Sequence, residues 1–92
     1  MNLKKLINEL YSLGCVNINL KNLIDELYSI GCECDLSNEV LNILQDDEPI
    51  MVINIKRPYM ICTFDVPWFE ELDVDFRKKL FNIVIKFYDE ES

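Results

Sequence analysis

Apolar residues recur at helical spacing in three stretches of the chain. The first two, residues 3–13 and 20–30, each place five aliphatic side chains on one helical face and leave polar residues on the other. Asn precedes each stretch and Gly follows it, which is typical of an N-cap and of the residue after a helix. The pattern therefore predicts two helices of about three turns, capped by Asn2 and Asn19.

These two stretches are near copies of each other. Residues 3–15 read LKKLINELYSLGC and residues 20–32 read LKNLIDELYSIGC, an offset of 17 residues. We interpret residues 1–18 as a duplicate of 19–34 and predict an antiparallel helical hairpin. Gly14 argues against one continuous helix, and the alternating segment 16–19 is a candidate for an additional strand.

The third stretch, residues 74–88, is apolar on two sides. Such a helix packs on two sides, so we expect it to form the centre of the domain. Its second stripe is either covered by the first two helices, the interpretation that we favour, or is the contact of a two-fold homodimer. The two stripes are Phe76, Leu80, Ile83 and Phe87, and Val74, Phe81, Ile85 and Tyr88.

The middle of the chain has shorter patterns. Residues 36–45 are compatible with a short third helix, capped by Asp35 or Ser37 and ended before Pro49. Two β-prone runs, residues 50–55 and 59–64, then predict a β-hairpin. Because an isolated hairpin is only marginally stable, we expect the long C-terminal helix to cover it.

Together these elements predict a single α+β domain over residues 1–92. The order is a duplicated helical hairpin, a short third helix, a β-hairpin and a long C-terminal helix, with residues 89–92 as a frayed tail. No run approaches the roughly 20 apolar residues of a membrane span. Asn8 and Glu9 interrupt the N-terminal apolar run, unlike a signal peptide, and we expect a cytoplasmic protein.

The distribution of charge adds the most informative functional feature. The chain has 17 acids, nine bases and a net charge of −8. Residues 22–55 contain eight acids and neither Lys nor Arg, so the remaining nine acids and nine bases balance. The whole net charge therefore arises from one continuous segment, through Asp25, Glu26, Glu33, Asp35, Glu39, Asp46, Asp47 and Glu48.

The residue types needed for catalysis are scarce. The chain has no histidine, which excludes a Cys-His or Ser-His arrangement. Its two glycines are both explained as helix ends, which leaves no glycine-rich phosphate loop. We therefore expect a protein that is not an enzyme.

Four cysteines allow a zinc site to be considered. Cys15, Cys32, Cys34 and Cys62 form one C-x-C pair and two single residues, whereas structural zinc sites are usually built from paired C-x₂₋₄-C motifs. Cys15 and Cys32 instead follow the helix-ending glycines, where a small apolar side chain contacts the last turn of the helix. We predict free thiols and no metal or cofactor.

Nucleic-acid binding is the alternative function. The order of elements is also that of a winged helix-turn-helix regulator, with Lys56 and Arg57 at the tip of the wing. The third helix would then be the recognition helix, but it is acidic and would repel phosphate. Direct binding to DNA is disfavoured on this ground.

An acidic surface without catalytic groups suits a protein that blocks a basic partner. The predicted partner-binding residues are Glu33, Asp35, Glu39, Asp46, Asp47 and Glu48, with Trp68 as an aromatic anchor. Two simpler explanations are that the acids only aid solubility and that Trp68 packs on the hairpin. In size, acidity and lack of chemistry the chain resembles, in general character only, phage anti-defence inhibitors and toxin-immunity proteins.

Overall fold

The described part of the chain forms three α-helices and an antiparallel sheet, and the α+β class and the order of its main elements are as predicted. The computed structural model describes residues 3–56, 63–64 and 69–91. The elements are α1 (Leu3–Ser12), α2 (Ile18–Ser29), β1 (Glu33–Ser37), β2 (Val40–Gln45), β3 (Glu48–Asn54), β4 (Thr63–Phe64), a single 3₁₀ turn (Phe69–Glu71) and α3 (Val74–Glu91).

The strands lie side by side in the order β1-β2-β3-β4. Each pairs with the next in antiparallel register, so that Cys34, Ile43 and Met51 form one cross-strand row and Leu41 lies opposite Ile53. These five side chains are buried and belong to the same core cluster as the buried residues of the helices. One face of the sheet therefore carries the hydrophobic core of the domain.

The prediction of a short third helix over residues 36–45 was wrong. This segment contains the end of β1, a two-residue turn and the whole of β2. Its apolar positions fit a helical period, but Leu41 and Ile43 also alternate, and pairing with β3 buries both completely. The recognition helix that a winged helix-turn-helix domain would require is therefore replaced here by a β-hairpin.

Two tight turns explain this hairpin arrangement. Asn38 in the β1–β2 turn has φ 56°, and Asp46 and Asp47 in the β2–β3 turn have φ 52° and 65°. Asn and Asp are the residues other than Gly that adopt this left-handed conformation most readily. Two successive left-handed residues are the signature of the type I′ turn, which matches the twist of an antiparallel pair.

The predicted hairpin of residues 50–55 and 59–64 is confirmed where the structure describes both strands. Met51 pairs with Phe64 and Val52 with Thr63, in antiparallel register. The remainder of the second run, residues 59–62, lies outside the described residues, as does the tip residue Arg57.

The two copies of the repeat end as predicted. Gly14 and Gly31 have φ 78° and 92°, and the amides of Cys15 and Cys32 donate to the carbonyls of Leu10 and Leu27 at 2.8 and 3.0 Å. In each copy, this is the hydrogen bond from the C″ amide to the C3 carbonyl that is characteristic of a Schellman ending. The duplication therefore extends from the sequence to the geometry of the helix ends.

The start of the second helix differs from expectation. Asn17, not Asn19, is the N-cap, and its side-chain oxygen accepts a hydrogen bond from the Leu20 amide at 2.8 Å. Residues 18 and 19 belong to the first turn of α2, so the additional strand proposed for residues 16–19 is not formed. The expected cap of α1, Asn2, lies outside the described residues.

The helix at the centre of the core is α2 rather than α3. Three α2 side chains are at most 2% exposed, Leu23, Ile24 and Leu27, and α2 packs against both α1 and α3. On α3 the residues at the core are Leu80, Val84 and Phe87. The second stripe of α3 is covered only in part, because Tyr88 packs against the core, Phe81 is 36% exposed, and Val74 and Ile85 are each 53% exposed.

The C-terminal tail is also more ordered than predicted. Residues 89–91, which we expected to fray, form the last turn of α3. Two side chains at the start of α2 reach this turn, since the Asn17 amide donates to the Glu91 carboxylate at 3.1 Å and the Asn19 amide to the Glu90 carbonyl at 3.4 Å. These contacts hold the end of α3 beside α2.

Candidate functional site: the acidic end of the sheet

Four of the six predicted partner-binding acids lie at or next to the β2–β3 turn of the sheet, and a fifth, Asp35, lies opposite Asn42 in the middle of β2. We call this set the acidic end; its residues are Glu33, Asp35, Asp46, Asp47 and Glu48. Asp46 and Asp47 form the turn itself, and Glu48 begins β3 opposite Gln45. The type I′ geometry fixes Asp46 and Asp47 on one compact loop, and Glu48 follows as the first residue of β3, so their relative positions are set by the backbone.

The edge strand β1 adds the other two carboxylates. Glu33 and Asp35 are two residues apart and both exposed, while Cys34 between them is buried, so the two acids share the outer face of the sheet. Glu33 lies opposite Leu44, which is next to the last residue of β2 before the turn. The acids of β1 therefore continue the charge of the turn along one edge.

Glu39 is separated from the others. It lies in the β1–β2 turn, at the far end of the six-residue strand β2, about 20 Å from Asp46 along the strand. Its carbonyl accepts a hydrogen bond from the Ile55 amide at 2.9 Å, and it borders the same surface recess as Lys56. The structure thus places four of the six predicted acids at the β2–β3 end of the sheet, Asp35 at mid-strand opposite Asn42, and Glu39 at the other end.

The remaining acids of the negative segment are neutralised within the fold. Asp25 contacts Lys21 at 2.7 Å and accepts a hydrogen bond from Asn8 at 2.9 Å, and Glu26 contacts Lys86 at 2.9 Å. Burial raises the pKa of Asp25, but the hydrogen bonds from Lys21 and Asn8 and the charges of Lys21 and Lys4 outweigh it, so its pKa is lowered. The hydrogen bond and charge of Glu26 raise the pKa of Lys86.

Among the residues that the structure describes, no such partner accompanies the acidic end. Across residues 3–56, 63–64 and 69–91, the ion pairs within 4 Å join Lys21 to Asp25 and Lys86 to Glu26, and neither pair includes a carboxylate of the acidic end. Asp46, Asp47, Glu33 and Asp35 are all exposed. Part of the net charge that no ion pair balances therefore lies here, and its potential extends over about one Debye length, roughly 8–10 Å at physiological salt.

Part of this charge also protects the edge of the sheet. β1 is an edge strand, and exposed charges on an edge discourage pairing with another chain. The Tyr28 hydroxyl contributes as well, because it accepts a hydrogen bond from the Cys34 amide at 3.4 Å on the free side of β1. Edge protection accounts for Glu33 and Asp35, whereas it does not require three further acids in the turn.

The aromatic and basic residues singled out from the sequence are only partly described. Trp68, the predicted anchor, lies outside the described residues. Lys56 is exposed beside the β1–β2 turn, at the end of the sheet opposite the acidic turn. The described part of the predicted basic tip therefore does not offset the acidic end.

Three of the four cysteines are described, and all are free thiols. Cys32 and Cys34 are buried, and burial raises the pKa of each thiol to about 12, with the charges of Cys32 and Glu33 adding to the effect at Cys34. Cys15 is exposed. In the described part of the chain no group of three or more His, Cys, Asp or Glu side chains is arranged to hold a metal ion.

Sequence reasoning missed a groove of about 380 Å³ beside Cys15. It lies between the α1–α2 connection, the β1–β2 turn and the end of α3, with a floor that includes Leu20, Leu36 and Phe87. Asn17 also lines it, but its side chain is already engaged as the cap of α2 and by Glu91. The groove gives Cys15 an accessible setting that its twin Cys32 lacks.

This difference between twin cysteines predicts a difference in reactivity. At pH 8 we expect iodoacetamide to alkylate Cys15 at least about 100-fold faster than Cys32 or Cys34, because only an exposed thiolate reacts readily. Peptide mapping by mass spectrometry over time measures each site separately. In urea the three rates should converge, and equal rates in the native protein would contradict the burial of Cys32 and Cys34.

Neither the search for a membrane-spanning helix among the described residues nor the comparison with known proteins indicates a function. No helix in the described segments has both the length and the apolar character needed to cross a bilayer. Comparisons with protein families, with characterised proteins and with solved structures found no match to this chain.

Proposed function

We propose that this protein is a small acidic binding protein that occludes the positively charged site of a basic, nucleic-acid-binding protein partner, acting by stoichiometric binding rather than by catalysis. The observation that carries the proposal is the acidic end, where four carboxylates at or next to the β2–β3 turn, and Asp35 further along β1, have no basic neighbour within 4 Å among the described residues. A cleft that binds phosphates presents Lys and Arg side chains, which carboxylates can also pair with.

The way the fold distributes its acids supports this proposal over a role in solubility alone. Acids that serve only solubility need no particular arrangement. Here Asp25 and Glu26 are paired with lysines, whereas the acids of the β2–β3 turn are presented together on a rigid two-residue loop. A rigid array loses little conformational entropy on binding, which favours affinity.

Charge complementarity would act first on the rate of association. A compact negative patch steers a basic partner and can raise the association rate well above that of neutral surfaces, with a steep dependence on salt. The carboxylates of the turn would then compete with nucleic-acid phosphates for the same Lys and Arg side chains. The proposed partner should therefore be displaced by duplex DNA.

The test is to remove the charge of the turn without changing its backbone. Reversal of Asp46 and Asp47 to Lys would also strain two left-handed positions, so the better variant is Asp46→Asn/Asp47→Asn/Glu48→Gln. Immobilised protein is exposed to nuclease-treated lysate of the cells in which it occurs, and each captured protein is purified and titrated by calorimetry. We expect the triple variant to bind at least about 100-fold more weakly than the wild type.

The matched control removes the same charge elsewhere. Glu70→Gln/Glu71→Gln/Asp75→Asn neutralises three exposed acids near the start of α3 and should bind like the wild type. A partner that binds all three proteins equally, or that duplex DNA does not displace, contradicts the proposal. Loss of every partner after nuclease treatment contradicts it too, since only nucleic acid would then have been bound.

A further inference from the structure

A second surface of the molecule, distinct from the acidic end, is apolar and lies on α3. Val74, Phe81 and Ile85 point within about 40° of one another around the helix axis, and about 110° away from the buried side chains of the same helix. Their exposed fractions are 53%, 36% and 53%. Phe81 and Ile85 are one turn apart and form a small apolar contact surface, while Val74 lies about 10 Å further towards the N-terminus of the helix.

This row is flanked by charges in an order that complements itself. Lys78 and Asp89 lie on the same edge of the row, about 40° and 60° from Val74 around the axis, with Lys78 nearer the N-terminal end. In an antiparallel pair of such helices centred between Phe81 and Ile85, Phe81 meets the partner's Ile85. The same register brings Lys78 next to the partner's Asp89, and the two-fold axis repeats both contacts.

The charge of the helix also permits the approach of a second copy. The whole chain carries −8, so two copies repel over most of their surface. The segment that forms α3 contains four bases and four acids and has no net charge. Two copies therefore meet with less repulsion along α3 than at the acidic end.

We propose that a second copy of this chain covers Phe81 and Ile85 of the exposed apolar row of α3, in an antiparallel α3–α3 pair related by a two-fold axis. The 18-residue helix is about 27 Å long, so the pair buries less surface than a standard interface of roughly 1,600 Å². The dimer is accordingly weak, with a dissociation constant on the order of 10–100 µM. The proposal does not depend on the function assigned to the acidic end.

Sedimentation velocity of the full chain, from about 1 µM to about 1 mM, tests the proposal. The wild type is expected to pass from monomer to dimer over this range. Ile85→Asp should remain monomeric throughout, because it introduces a charge into the centre of the apolar contact. Far-UV circular dichroism establishes that the variant keeps its helices, as expected at a position that is half exposed.

A charge exchange tests the antiparallel register. Lys78→Glu and Asp89→Lys should each weaken the dimer about tenfold, and the double variant should recover to within about threefold of the wild type. Lys79→Glu, one residue along on the solvated side of α3, is the matched control and should leave the dimer unchanged. Both single exchanges keep the apolar row intact, so they probe the register and not the core.

Three results would overturn the proposal. They are a chain that stays monomeric up to about 1 mM, a dimer that survives Ile85→Asp, and a double exchange no tighter than the single ones. The first two would assign the apolar row to another occupant. A double exchange no tighter than the single ones would mean that the chain dimerises, but not in the antiparallel register.

Discussion

Replacing Leu23 by Ala is expected to lower the free energy of unfolding by about 3 kcal/mol, whereas Leu6→Ala at the equivalent position of the repeat should cost about 1 kcal/mol or less. Leu23 is 2% exposed and Leu6 is 39% exposed. Truncation of a buried leucine loses its transfer free energy and leaves a cavity, while a cavity does not form at a position already open to water. The two substitutions remove identical atoms from near-identical sequences.

Urea unfolding followed by far-UV circular dichroism measures both variants. A small domain has only about 5–15 kcal/mol of stability, so the Leu23→Ala midpoint should move visibly to lower urea at an unchanged slope. Equal shifts for the two variants would mean that the two copies of the repeat are packed alike, contrary to the structure.

Phe87→Ala is expected to destabilise the fold by about 4 kcal/mol, and Ile85→Ala on the same helix by only about 0.5 kcal/mol. Phe87 is 3% exposed and lies in the core cluster, while Ile85 is 53% exposed. The two variants therefore distinguish the face of α3 that packs in the core from the face that contacts solvent or a second copy.

The measurement is made at about 1 µM chain, where the proposed α3 pair is dissociated and cannot contribute. Thermal and urea unfolding should agree on the order of the two variants. A loss at Ile85 as large as that at Phe87 would show that both stripes of α3 are buried within one chain, the arrangement that we first expected from the sequence.

The periodic pattern identified the helices well because long amphipathic segments carry a strong signal. Residues 3–12, 18–29 and 74–91 are helical close to where the apolar spacing placed them, and both glycines end their helices as expected. Burial was harder to foresee. Nothing in two near-identical copies says that α2 packs between α1 and α3, while α1 packs against α2 and β1, because burial depends on which elements pack on either side.

The middle of the chain was misassigned for a local reason. Leu36, Val40, Ile43 and Leu44 satisfy a helical period, but the segment is short enough for a strand period to fit equally well. The signal that could have decided the matter is the pair Asp46-Asp47, which we treated as the end of a helix. Two adjacent residues that tolerate left-handed backbone, between alternating apolar runs, are a hairpin signal.

The same misassignment affected the candidate site in an unexpected way. On a helix, Glu33, Asp35 and Glu39 would have been spread around an axis and across a turn. On β1 the first two share a face, while Glu39 moves to the far end of β2. The composition of the negative segment can be read directly from the sequence. Its division into paired acids, the acidic end and the isolated Glu39 cannot, because it depends on strand register and on contacts with Lys21 and Lys86.

The left-handed conformation at residues 46 and 47 restricts which side chains are tolerated there. Apart from the permissive Gly, Asn and Asp fit such a turn with least strain. Gly and Asn would close the hairpin without adding charge, so folding alone gives no reason for both positions to hold an acid. Any requirement for negative charge at this corner must therefore come from outside the chain, and the loop is a place where function can be altered at almost no cost to architecture.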